Sequence, residues 1–163
     1  MNLDTILIPL DGSPLAEVAV PTAVDLAGGS NARLVLLRAV EAHVRPGADV
    51  TAAQVEVVKE AEAYLDTVKR RLETLGAKDV ETSVWYGPAA SSIVEAAATR
   101  HASLIVMSTH GRTGLGRLIL GSVAESVVRG TVIPILLVRD GAAPVDTPDA
   151  KARAWDTVRI SHR

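Results

Sequence analysis

Four glycines, at 111, 114, 116 and 121, fall within a segment that opens on Ser108 and closes on Ser122. Glycine lets backbone N–H groups come close to an anion with no Cβ in the way, and a helix N-terminus adds a favourable dipole. Gly121-Ser122 stands where the last helix should begin, so its amides and the Ser122 hydroxyl are candidate donors to a phosphate. Gly111, Gly114 and their neighbours can wrap the other side. The competing reading is a glycine loop that only precedes a helix cap. Arg112 and Arg117 can neutralise phosphate charge from inside the loop, or be solvated as exposed arginines usually are. No lysine occurs between Gly111 and Ser122 and the Gly-Lys spacing of a P-loop is missing, which excludes ordinary P-loop catalysis.

A second group of polar residues, Pro9-Leu10-Asp11-Gly12-Ser13, ends the first apolar run. Asp11 can accept a hydrogen bond from a base or ribose, help hold a divalent ion, or bind backbone N–H groups in its own turn. Ser108, His110 and Asp11 invite comparison with a hydrolytic triad, but no Gly-x-Ser-x-Gly elbow is present, so His110 is read as orienting the loop and no catalytic residue is assigned. His43, His101 and His162 lack metal-ligand spacing, so the protein builds no metal site of its own.

These residues need strands to carry them. Thr5–Ile8, Leu34–Leu37 and Leu104–Met107 are short apolar runs suited to strands buried on both faces. Val80–Tyr86 alternates as an edge strand does, and Ile133–Val138 is the last strand, with Pro134 favouring an edge. Between them, Ser13-Pro14 starts a helix over Leu15–Ala27 that Gly28-Gly29 stops and Pro21 kinks. A long polar helix spans Ala52–Leu75, an Ala-rich helix follows Gly87-Pro88, and a helix after Gly121 closes at Arg129-Gly130. Strand and helix alternate through five strands, which predicts a doubly wound α/β fold: an open parallel sheet with helices on both faces. Such sheets bind ligands at the carboxyl ends of their strands, where strand order reverses, so the loops after strands one and four should line one crevice.

The composition narrows the field. Lys and Arg total 17 against 19 Asp and Glu, a formal charge of −2 that lacks the basic excess nucleic-acid binding needs. With 48% hydrophobic residues but no Phe, the core has to be built from Val, Leu, Ile and Ala. The absence of Cys removes disulfides and thiolate chemistry. Neither a basic leader before the first apolar run nor an apolar stretch of about eighteen residues is seen, and the expectation is a cytoplasmic protein without a membrane segment. One domain over residues 1–139 is expected, with 140–163 as a tail in which apolar periodicity stops.

Ser108, Gly111, Gly121 and Ser122 then resemble a known pattern, that of the ATP-binding branch of the universal stress protein family. Its motif is Gly, two residues, Gly, nine residues, and Gly followed by Ser or Thr. Gly111, the nine residues 112–120 and Gly121-Ser122-Val123 match it, while Ser108 stands at its first glycine. The resemblance covers nearly all of residues 1–139. It implies strand order 3-2-1-4-5, a homodimer joined partly through the last strand, and ATP in the crevice with magnesium or manganese carried by the phosphates. It also implies that Asp11, in Pro9-Leu10-Asp11, meets the adenosine and that Ala39 offers adenine a backbone contact. The leading expectation is an adenine-nucleotide-dependent sensor or regulator with an unknown protein partner. The alternatives are a slow ATP hydrolase or nucleotidyl transferase, and a dimeric interaction module that has lost the nucleotide.

Overall fold

The computed structural model describes residues 2–42, 46–47, 49–109 and 120–139. Five strands run in chain order as β1 (Thr5–Pro9), β2 (Arg33–Val40), β3 (Val80–Tyr86), β4 (Leu104–Ser108) and β5 (Ile135–Val138). They form one sheet in the order β3-β2-β1-β4-β5, with every neighbouring pair parallel. This is the doubly wound α/β sheet expected from the alternation of strands and helices, in the strand order that the family resemblance implied.

Parallel strands need helical crossovers, and the helices are α1 (Pro14–Glu17), α2 (Ala19–Ser30), α3 (Val50–Thr74), α4 (Ala89–Thr99) and α5 (Ser122–Gly130). Alternate strand residues divide the core in two. Ile6, Ile8, Leu34 and Leu36 face a cluster with Val20 and Ala23 of α2 and Leu65 and Leu72 of α3. Leu7, Val35, Leu37 and Ile105 face the opposite way, onto Ile93 of α4 and Ala124 and Val127 of α5. A two-residue period with both faces covered is why β1 and β2 read as unbroken apolar runs. Each such side chain contributes about 1.5–3 kcal/mol by leaving water.

The first crossover departs from expectation. The expected proline disruption falls at Val18, a single residue of helical φ −61° and ψ −20° that separates α1 from α2, but α2 runs past Ala27 through Gly28-Gly29 to Ser30. Pro21 has no N–H to offer the Glu17 carbonyl and its ring would press on it, so the break falls within the preceding turn. Gly28 and Gly29 lie on an exposed stretch where helical glycine costs only about 1 kcal/mol each. The stop comes instead from Asn31, in the left-handed region at φ 58°. The last strand is also shorter than expected: its ladder begins at Ile135, and Pro134 precedes it, its carbonyl accepting from the Ile105 N–H at 2.9 Å.

Two helix ends bear on the site. Ser13 caps α1 by accepting from the Ala16 N–H at 3.2 Å, and Asp49 caps α3 by accepting from the Ala52 N–H at 3.0 Å. The polar helix thus starts two residues earlier than the sequence suggested and ends before Gly76, whose φ of +98° suits the turn.

Candidate functional site

The chain leaves β1 toward α1 and α2 on one face and leaves β4 toward α5 on the other. Adjacent strands whose connections depart to opposite faces leave a gap above their carboxyl ends. That gap is a cleft of about 540 Å³, within the ~300–1,000 Å³ usual for small-molecule sites. Pro9, Leu10 and Asp11 form its floor at β1, and Met107, Ser108 and Thr109 do so at β4. Ala39 and Val40 at the end of β2, Ile93 of α4, and Val57 and Glu60 of α3 supply further walls.

The β1 side is held by its own turn. The Leu10 N–H donates to the Leu37 carbonyl at 2.7 Å, carrying the parallel ladder one residue past β1. The Ser13 N–H donates to Asp11 Oδ1 at 2.9 Å, which fixes the carboxylate against the start of α1. Gly12, between them, has φ +85°.

On the β4 side, the Gly121 N–H donates to the Thr109 carbonyl at 2.8 Å, and the Thr109 N–H to the Val138 carbonyl at 2.9 Å. These two bonds fasten the start of α5 to the end of the β4-β5 ladder. The first intrahelical bond of α5 runs from the Glu125 N–H to the Gly121 carbonyl at 2.9 Å. The amides of Ser122, Val123 and Ala124 therefore have no carbonyl of their own helix to bond, and Gly121 has no side chain to cap them. All three residues line the cleft. A helix start with that geometry presents N–H donors and a partial positive charge to an anion.

A cationic group lies at the opposite, β2 end. Arg38 stacks 5.1 Å above the Tyr64 ring, and its Nη2 pairs with Glu60 Oε1 at 3.2 Å. The Tyr64 hydroxyl donates to Glu17 Oε1 at 2.9 Å, and Glu17 also pairs with Arg71. The Tyr64 hydroxyl is held far above its usual pKa. Burial is the largest cause, followed by the Glu17 carboxylate that accepts its proton and by the charge of Asp11, with Arg38 acting in the opposite direction.

Of the residues singled out from the sequence, Pro9, Leu10, Asp11, Ala39, Ser108, Gly121, Ser122 and Val123 all line this one cleft. His110, Gly111, Arg112 and Gly114, as well as Arg117, His43, His162 and the tail, lie outside the described residues. His101 sits in the turn that enters β4, at the end of the strand opposite the cleft. Among the described residues no three His, Asp or Glu side chains gather as metal ligands. Sequence reasoning missed Arg38, Glu60 and Thr109. A charge interrupting the apolar run Leu34–Leu37 at the carboxyl end of a buried strand was the available signal for Arg38.

Comparison with known proteins agrees with this architecture. The sequence model of the universal stress protein family matches residues 2–139. The chain belongs to that family. A universal stress protein of Methanocaldococcus jannaschii is 36% identical over 138 residues, covering 82% of this chain and 81% of that protein. Among solved structures, the universal stress protein UspA of Lactobacillus plantarum superposes with a TM-score of 0.73 at 26% identity, over 85% of this chain and 99% of that one. A universal stress protein in complex with cAMP gives a TM-score of 0.64 at 27% identity, over 85% of this chain and 98% of its own. Among the described residues of this universal stress protein, no helix is long and apolar enough to cross a membrane.

Proposed function

We propose that this universal stress protein binds an adenine nucleotide, ATP in the first instance, in the cleft between β1 and β4 and acts as a nucleotide-dependent sensor or regulator. The observation that carries the reading is the uncapped start of α5, tied to the end of β4 and opening into the same cleft as Asp11. Phosphates would lie against the amides of Ser122, Val123 and Ala124. The nucleoside would extend toward β2, with the Asp11 carboxylate at the ribose and the Ala39 backbone at the base. His110, Gly111, Arg112 and Gly114 are proposed to close over the phosphates from the loop, with Ser108 at its root. A structural relative that holds cAMP supports a nucleotide as the ligand class.

The residues fit a nucleotide better than a protein-held metal. One end of the cleft offers amide donors without a side-chain cap, and the other combines apolar walls with the Arg38–Glu60 pair. Magnesium or manganese would come with the phosphates, since the described residues gather no ligand set of their own. Residues 1–139 are proposed as the nucleotide-binding unit and 140–163 as an appended tail, a division supported by the family match over 2–139. A regulator of this kind acts because its ligand has different affinity for two conformations or assembly states.

The test begins with nucleotide released from freshly purified protein, followed by calorimetric titration of ATP and magnesium into the stripped protein and into Gly121→Val. Sub-millimolar binding lost in a variant that still folds is the expected result, because a branched Cβ would occupy the approach to the first-turn amides. Equal affinity in both proteins would reject the phosphate assignment. No heat and no released nucleotide with the wild type would reject the ligand class itself.

A further inference from the structure

Arg38 lies outside the glycine motif, yet it lines the same cleft as Asp11. A Cβ built on Gly12 would meet the Arg38 guanidinium carbon and Nη2 at 3.4 Å each, so the guanidinium lies beside the β1–α1 turn, within reach of any side chain added there. The guanidinium is itself held in place: it lies over Tyr64 at 5.1 Å, pairs with Glu60 at 3.2 Å, and its side chain is only 13% exposed. Tyr64 in turn hydrogen-bonds Glu17, which belongs to α1, the helix that starts from this same turn at Ser13. Turn, Arg38, Tyr64, Glu17 and α1 thus lie next to one another around one end of the cleft.

Asp11 belongs to that turn. Its Oδ1 accepts from the Ser13 N–H within the turn, so a shift of the turn re-aims the carboxylate. We propose that Arg38 is a positioning residue of the site, clamping the Asp11–Ser13 turn against β2 and Tyr64 so that the Asp11 carboxylate keeps its direction toward the nucleoside. This rests on the nucleotide reading above. A planar guanidinium suits the task because one group can stack on an aromatic ring, pair with a carboxylate and pack on backbone, which a lysine ammonium cannot do.

The experiment is a double-mutant cycle on ATP affinity with Arg38→Ala, Asp11→Asn and the double variant, and Arg38→Lys as a fourth protein. Each single change is expected to weaken ATP by about tenfold, and the double variant by little more than the worse single, because Arg38 acts through Asp11. Arg38→Lys should behave like Arg38→Ala. Multiplicative losses in the double variant, wild-type affinity in Arg38→Ala, or full rescue by lysine would each overturn the proposal; the last would reveal a simple charge effect on the phosphates. If thermal melting shows that Arg38→Ala does not fold, Arg38→Met, which keeps the length of the side chain but not the planar charged group, replaces it in the cycle, with the same outcomes deciding. A wild-type protein that binds no ATP removes the nucleotide reading and this proposal together, which separates that failure from binding that ignores Arg38.

Discussion

At the residue scale, Gly121 and Tyr64 show two ways in which one side chain, or its absence, sets chemistry. Gly121 has φ −58° and ψ 147°, an extended conformation any residue can adopt, so its value lies in having no side chain. A serine or aspartate there would fill the helix start from within. Glycine leaves the first-turn amides of α5 to the cleft. Tyr64 is the reverse case, a hydroxyl whose neighbours keep it protonated. Because its folded pKa is raised, its contribution to stability is complete below the unfolded tyrosine value of about 10 and is lost as pH rises through the folded value. Tyr64→Phe, which also deletes the bond to Glu17, is expected to cost about 1 kcal/mol at pH 7. Urea denaturation should show that gap narrowing above pH 10, and a gap unchanged at pH 11 would mean that the hydroxyl is not held protonated by the fold. The sequence exposed Asp11, Gly121 and Ser122 because each stands beside a turn or helix start. It hid Glu60, since nothing in a local pattern says that the end of β2 lies under residue 60 of a helix twenty residues on, and for Arg38 it offered only a charge at the end of an apolar run.

At the element scale, α3 carries two roles along one length. Its second half packs, with Ala61, Leu65, Val68 and Leu72 buried at the three- and four-residue spacing of a helix face. Val50 to Glu60 contributes no buried residue, and from that half Val57 and Glu60 reach the cleft. Replacing Leu72 by Ala should cost 2–5 kcal/mol in chemical denaturation, as for other fully buried leucines. Leu75→Ala, where the side chain is 71% exposed just past the helix, should stay within about 0.5 kcal/mol. Similar losses at both positions would contradict the packing described. Helices and strands were legible here because apolar period and end signals agree: Gly76 closes α3, and four-residue apolar runs mark the central strands. Their ends were less so. Gly28-Gly29 reads as a stop, yet a helix already anchored by Val20, Ala23 and Ala27 runs through it. Proline broke the first crossover three residues before its own position, because the carbonyl it obstructs lies one turn back.

At the scale of the whole molecule, the two edges of the sheet differ in what they offer another chain. On the β3 side, Arg33 pairs with Asp79 at 3.1 Å and Glu81 at 3.2 Å, and Arg100 reaches Glu81 at 3.2 Å, so charge lines that edge. Charged side chains are the usual guard against edge-to-edge pairing. The β5 side has no such ladder among the described residues. There Val132 is fully exposed, and Val128 and Leu136 are 44% and 37% exposed. An apolar edge strand of four residues beside further exposed valines is the surface on which we propose that two copies of this chain meet. Leu136→Lys adds a charge at that edge without entering either core cluster or the cleft. It should convert a dimer in light scattering to a monomer while leaving thermal melting of the fold and ATP affinity close to wild type. Charge reversal at Glu81, on the opposite edge, should leave the assembly unchanged. If Leu136→Lys stays dimeric and the Glu81 variant does not, the contact lies on the β3 side. A wild-type protein that is monomeric at every concentration would reject the proposed dimer.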